Sequence, residues 1–148
     1  MFHASFPKID WVISVQTIDW NQYAAGTMME ALDMRIVEVS DSRVIVTMPV
    51  SSKTRQPAGL LHGGASVALA ESAASIGSLY YAIPKGKHAV GMEINANHIR
   101  PKREGVVKAI ATAVHKGKTT FVWDVRIVDE ADRLICISRC TIAIVEAK

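Results

Sequence analysis

From Gln56 to Pro84 the chain carries no Lys or Arg, and Glu71 is the one formal charge in the run. Such a stretch is long enough to span a bilayer. Its content argues otherwise: it holds Pro57, Gly59, His62, Gly63, Gly64, Gly77 and four serines, and a carboxylate at mid-helix is costly in lipid. It begins far from the N-terminus, and Met1 to Trp11 lacks the basic region and apolar run of a signal peptide. The remaining solution is a soluble helix over Gly63 to Ile83, apolar nearly all round and buried in protein. Pro84-Lys-Gly86 stops it.

The rest of the chain must supply the cover. Residues 35–49 alternate loosely and read as a strand, bent as a hairpin at Asp41-Ser42. Four further strands follow the helix, over about 88–100, 105–115, 119–129 and 133–146, separated by Pro101 to Glu104, Lys116-Gly117-Lys118 and Asp129 to Asp132. Ala109, Ala111 and Ala113 share one face, leaving room for a helix to approach. Phe121, Trp123, Val125 and Ile127 share another apolar face. Thr27-Met-Met-Glu30 has capping-box spacing and opens a short helix through Leu32. Ser51 to Ala58 reads as a loop, and Phe2 to Trp20 shows no period, although it is placed to shape a pocket. The expected class is α+β, an antiparallel sheet wrapped around one long central helix. With 148 residues, the expectation is one domain over 1–148.

Composition excludes several functions. Hydrophobic residues make up 49%, too many for a disordered chain. Lys and Arg total 17 against 14 acids, an excess too small and too scattered for a nucleic-acid partner. Cys136 and Cys140 lie four residues apart on one strand, roughly 13 Å between Cα atoms, beyond disulfide reach. They read as core residues, which favours a cytoplasmic location. Glu71 and His62 have no Cys or His spacing around them that would suit zinc, so no metal is expected.

The chemistry concentrates at residues 56–75. The long helix starts at His62-Gly63-Gly64 with no Ser, Thr, Asp or Asn before it, so the free N–H groups read as available to a developing negative oxygen. Glu71, in the third turn, must be paired, protonated or catalytic. Ser75 shares its face at i+4, whereas Ser72 reads as pointing elsewhere. Each feature also has a plain alternative: a glycine turn, a structural hydrogen bond, a satisfied loop histidine. Spacing adds a constraint. Gly63 and Glu71 are about 12 Å apart along the helix axis, and one carbonyl carbon cannot lie within ~3 Å of both. If both act, they come from different subunits. Two such helices side by side in opposite directions would form two shared sites per dimer and would supply the cover that one sheet cannot.

Gly59-Leu-Leu-His-Gly-Gly-Ala-Ser-Val-Ala-Leu-Ala-Glu71-Ser, followed by Val90-Gly-Met-Glu-Ile-Asn-Ala-Asn-His98-Ile-Arg100, resembles the hotdog-fold acyl-CoA thioesterases, in particular their PaaI-like branch. The likeness runs from about Met28 to Val145. It implies a hotdog fold and hydrolysis of an acyl-CoA thioester, with an aromatic acyl group favoured and no cofactor required. It implies Glu71 as nucleophile or general base, Gly63 as the N–H that polarises the carbonyl, Gln56 and His62 as orienting groups, and Ser75 as a hydroxyl that places water. It assigns Gln56, His62 and Gly63 to one subunit and Glu71 and Ser75 to its partner. For the CoA phosphates it implies Arg100, with His98 and the turn Lys116, Gly117, Lys118 and Thr119 as further candidates. It also implies a homo-oligomer, a tetramer of paired dimers. An acyl-thioester dehydratase on the same fold and a non-catalytic acyl-CoA-binding protein are the competing readings. The acyl group itself is not legible, and Tyr80, Ile83 and Met92 suit an aliphatic pocket equally.

Overall fold

The computed structural model describes residues 14–147; the expectations for residues 1–13 lie outside them. The charge-poor run is helical over Gly63–Ala82 (α3) and continues as a single 3-10 turn, Ile83–Lys85, which Gly86 ends with φ +66°. Among the described residues no helix is long and apolar enough to cross a membrane.

Among the described residues six strands wrap around α3: β1 (Arg35–Val39), β2 (Val44–Pro49), β3 (Lys87–His98), β4 (Val106–Lys116), β5 (Thr120–Val128) and β6 (Leu134–Glu146). The segment 35–49 is thus two strands, joined at the expected bend. Every pairing is antiparallel, and the order is β1-β2-β4-β5-β6-β3. The connection through α3 carries the chain from β2 to the opposite edge of the sheet. β3 is therefore an edge strand of 12 residues, with Val90 and Met92 more than half exposed.

The core lies between α3 and one face of the sheet. Val44, Val46 and Met48, Ala109 and Ala111, Val125 and Ile127, and Cys136, Cys140 and Ile142 are all fully buried against the helix side. Burying a Val, Ile or Met side chain contributes about 1.5–3 kcal/mol. The two cysteines are free and share that inner face, as their spacing implies. Gly77 lets the Trp123 ring lie directly on α3, and Trp123 Nε1 donates to buried Ser78 Oγ at 2.8 Å.

Among the described residues, a 3-10 turn at Val15–Thr17 and two short α-helices, α1 (Trp20–Tyr23) and α2 (Met28–Ala31), precede the sheet. The capping box is only half formed. Thr27 Oγ1 accepts from Met29 N, but Glu30 reaches back to Gly26 N rather than to Thr27 N. Asn21 holds the open edge of β1: its side chain donates to Ile36 O at 3.0 Å and accepts from Ile36 N at 2.9 Å.

Candidate active site

The loop before α3 is fastened at several points. Buried Thr54 donates from Oγ1 to Pro49 O and accepts there from Ser51 N, which ties the loop to the end of β2. Its carbonyl accepts from His62 N at 2.8 Å, and Lys102 O accepts from Leu61 N at 2.7 Å. Gln56 sits in the tight turn between: its N–H donates to Leu60 O, and its side-chain Oε1 accepts from Ala58 N. The amide nitrogen of Gln56 is left as a donor beside a cavity of about 310 Å³, which Gly63, Ser66, His98 and Arg100 also line.

The helix start differs from the sequence expectation. His62 is itself the cap, with Nδ1 accepting from Gly64 N at 2.8 Å. Its carbonyl takes the N–H groups of Ala65 and Ser66. Of the four N–H groups that a helix start leaves without helical partners, those of His62, Gly64 and Ala65 are thus engaged. The Gly63 N–H is the one left to a ligand. Because Nδ1 is an acceptor, a neutral His62 carries its proton on Nε2 and presents it outward. His98, at the end of β3, lies against the same spot: a Cβ on Gly63 would come within 2.7 Å of His98 Nε2.

Glu71 is half-buried two turns further along and opens into a different cavity, of about 530 Å³. Ser75 lines it too, as the i+4 spacing requires. So does Ser72, contrary to the expectation that it points away. Tyr23, Thr27, Met28 and Met29, from α1, α2 and their junction, form the opposite wall. The Glu71 carboxylate rests on β3 at Gly91, where a Cβ would lie 2.2 Å from Glu71 Oε1. Beside this seat, burial pushes the Cys140 thiol up to about 12, and the Glu71 and Glu93 charges add to the shift.

The candidate residues therefore fall into two groups on one chain. Gln56, Gly63, His98 and Arg100 surround one cavity; Glu71 and Ser75 face the other, which Gly64 also lines; His62 caps the helix start and is among the lining residues of neither. Arg100 is braced by Nη1 donating to Leu134 O. The basic turn lies elsewhere. Lys116 Nζ sits 3.9 Å above the Tyr81 ring, donates to the Tyr81 hydroxyl and reaches Asp41 O. Tyr81 is in the last turn of α3, about 27 Å along the axis from Gly63. Gly117 N donates to Thr120 O and Thr119 O accepts from Ile144 N, so both are held by the hairpin, while Lys118 is exposed. Within one chain this turn cannot meet Arg100.

Three contributors escaped the sequence reading: Gly91, Ser72 and the wall from α1 and α2. Only Gly91 carried a signal, since an isolated glycine inside a strand marks a bulge or a close approach.

Residues 58–136 match the family model of the thioesterase superfamily. The putative esterase ComA2 of Bacillus subtilis is 53% identical over 120 residues, 81% of this chain and 95% of that protein. A 1,4-dihydroxy-2-naphthoyl-CoA hydrolase of Escherichia coli is 47% identical over 124 residues, 84% of this chain and 90% of that enzyme. Among solved structures, a mutant of thioesterase PA1618 from Pseudomonas aeruginosa superposes with a TM-score of 0.83 at 42% identity, covering 86% of this chain and 91% of the other.

Proposed function

The chain belongs to the thioesterase superfamily and is a thioester hydrolase of the hotdog fold; we propose that it cleaves an aromatic acyl-CoA in sites shared between two copies of itself. Hydrolase relatives set aside the dehydratase and non-catalytic readings. The observation that carries the shared site is the division of Glu71 and Gly63 between two cavities of one helix.

In this reading the thioester carbonyl oxygen accepts from the Gly63 N–H and from His62 Nε2–H, with the Gln56 amide nitrogen beside them. These donors are fixed before substrate arrives, so they stabilise the oxyanion of the tetrahedral intermediate without reorganisation. The partner subunit's Glu71 then attacks the carbonyl carbon or draws the proton from an attacking water. Ser75 next to it positions that water. The C–S bond breaks, the CoA sulfur takes a proton, and water supplies the oxygen of the free acid. Arg100 and His98 meet the CoA phosphates from one side, and Lys118 of the opposite subunit's turn from the other.

The exposed edge of β3 supports this assembly. Glu71 rests at Gly91 and Gly63 lies under His98. Antiparallel pairing of two β3 edges that sets Gly91 level with the partner subunit's His98 puts the two-fold axis between Ile94 and Asn95. The second copy would also cover Val90 and Met92. The aromatic class rests on the cavity beside Glu71, roomy and walled by Tyr23, Met28 and Met29 with the hydroxyls of Thr27, Ser72 and Ser75, and on relatives named as 1,4-dihydroxy-2-naphthoyl-CoA hydrolases.

Mixed dimers test the shared site. Glu71→Ala and Gly63→Pro chains, differently tagged and co-expressed, should each be inactive alone. Purified mixed dimers carry one intact and one doubly altered site, and should regain about half of wild-type activity. Mixed dimers as inactive as their parents would reject the arrangement. On the substrate side, kcat/KM for 1,4-dihydroxy-2-naphthoyl-CoA or benzoyl-CoA should exceed that for hexanoyl-CoA by about tenfold or more; the reverse order would reject the aromatic class.

A further inference from the structure

We propose that Gly91, at the bulge of β3, is a positioning residue for the catalytic carboxylate: its missing side chain is the space in which Glu71 Oε1 lies. The proposal rests on the reading of Glu71 as the catalytic group.

Space, not backbone freedom, explains the glycine. A Cβ at Gly91 would come within 2.2 Å of Glu71 Oε1 and 3.3 Å of its Cδ, about 1 Å closer than a carbon and an oxygen tolerate. The positive-φ glycines are Gly26, Gly59, Gly86 and Gly105; Gly91 is not among them. A glycine inside a strand is otherwise unfavourable, since it forfeits packing and ordering. Here it faces inward beside its fully buried cross-strand partner Ile142. The other inward positions of β3, Ala89, Ile94 and Ala96, all carry side chains that pack on the core.

The bulge gives the glycine this direction. Gly91 pairs with Ile142 and Glu93 with Thr141, so Met92 is one residue too many. Gly91 and His98 are seven residues apart. On a regular strand an odd separation puts two residues on opposite faces. The extra residue restores the phase, and both turn toward α3. One strand thereby touches both ends of the chemistry, the carboxylate at Gly91 and the helix start at His98. A methyl group at 91 would push the carboxylate into the neighbouring cavity, away from the attack line on a carbonyl held by the other subunit.

The test is a kinetic cycle between positions 91 and 71. Gly91→Ala should lower kcat about 100-fold, as a displacement near 1 Å can, with KM, dimer assembly and thermal stability close to wild type. In a Glu71→Asp background, where the carboxylate is one methylene shorter, adding Gly91→Ala should cost less than about fivefold. Gly91→Ala retaining kcat within about threefold of wild type would overturn the proposal. So would an equal penalty in both backgrounds, which is the signature of a general strand defect. If Gly91→Ala does not fold, Gly91→Ala/Glu71→Ala decides: a folded double variant supports the steric seat, and a second unfolded protein overturns it. Glu71→Gln, with Gly91 intact, separates the underlying reading, because full activity there removes Glu71 from catalysis whatever position 91 does.

Discussion

Deleting a single N–H is the sharpest probe of the helix start, and the backbone around Gly63 permits it. Gly63 is the first helical residue, where proline is well tolerated because its N–H has no helical partner to lose. The residue before a proline must be extended, and His62 already is, at φ −70° and ψ 132°. His62 continues to serve Gly64, Ala65 and Ser66. The added Cβ would lie 2.7 Å from His98 Nε2, and His98 is an exposed side chain end that can swing aside. Gly63→Ala carries the same Cβ but keeps the N–H, so it measures the cost of that contact with His98. Loss of one oxyanion donor is worth about 10²–10³ in kcat, roughly 2.7–4 kcal/mol of transition-state stabilisation. Gly63→Pro should therefore fall that far below Gly63→Ala in release of free CoA thiol at saturating substrate. Both should melt close to wild type. A Gly63→Pro enzyme that stays folded and turns over within about threefold of Gly63→Ala would refute the role of this N–H.

Two predictions concern stability. Gly77→Ala should destabilise the protein by about 1–3 kcal/mol in denaturant titration, because the new methyl would meet Trp123 Cη2 at 2.4 Å while Ser78 pins the buried ring; an unchanged midpoint would refute this. The turn between β5 and β6 should make the protein acid-sensitive. The Arg133 guanidinium holds Asp129 down at about 2, helped by the N–H groups of Arg133 and Ala131. The Lys102 ammonium, then the Val106 N–H, do the same for Glu130, also about 2. Both values lie below the ordinary carboxylate range, so this stabilisation is complete above about pH 4.5 and is lost as pH falls toward 2. Asp129→Asn/Glu130→Gln should flatten the pH dependence of thermal stability in that window, and an unchanged slope would count against it.

The fold is legible in the sequence wherever periodicity alone decides. The charge-poor run sets α3 to within a residue, alternation sets β3 to β6 to within one or two, and the alanines of β4 and the aromatics of β5 lie on the inner face as read. The separation of Gly63 from Glu71 into two cavities is legible as well, because eight residues of helix are a distance whatever surrounds them. Contacts made across the fold are not. Lys116 reads as a free cation until the chain end of α3 brings Tyr81 beneath it. His62 falls outside the residues that usually cap helices, so its Nδ1 bond to Gly64 has no sequence sign.

The bulge is the most instructive miss, because it breaks the rule used to read the strand. Period-two counting from Gly91 sends His98 to the outer face of the sheet. The residues that lie against Glu71 and against Gly63 would then be on opposite sides of β3. Only the pairing with β6, where Met92 has no partner of its own, reveals that they lie on one. A glycine an odd number of residues from a second site residue on the same strand is thus a specific signal: if both serve one helix, an extra residue must lie between them. In this strand the residue is Met92, and its deletion should turn either Gly91 or His98 out of the site while leaving most of the β3–β6 ladder able to form. Hydrolysis should collapse in that variant even where secondary structure persists by circular dichroism. A fully active deletion variant would show that the two residues need not share a face.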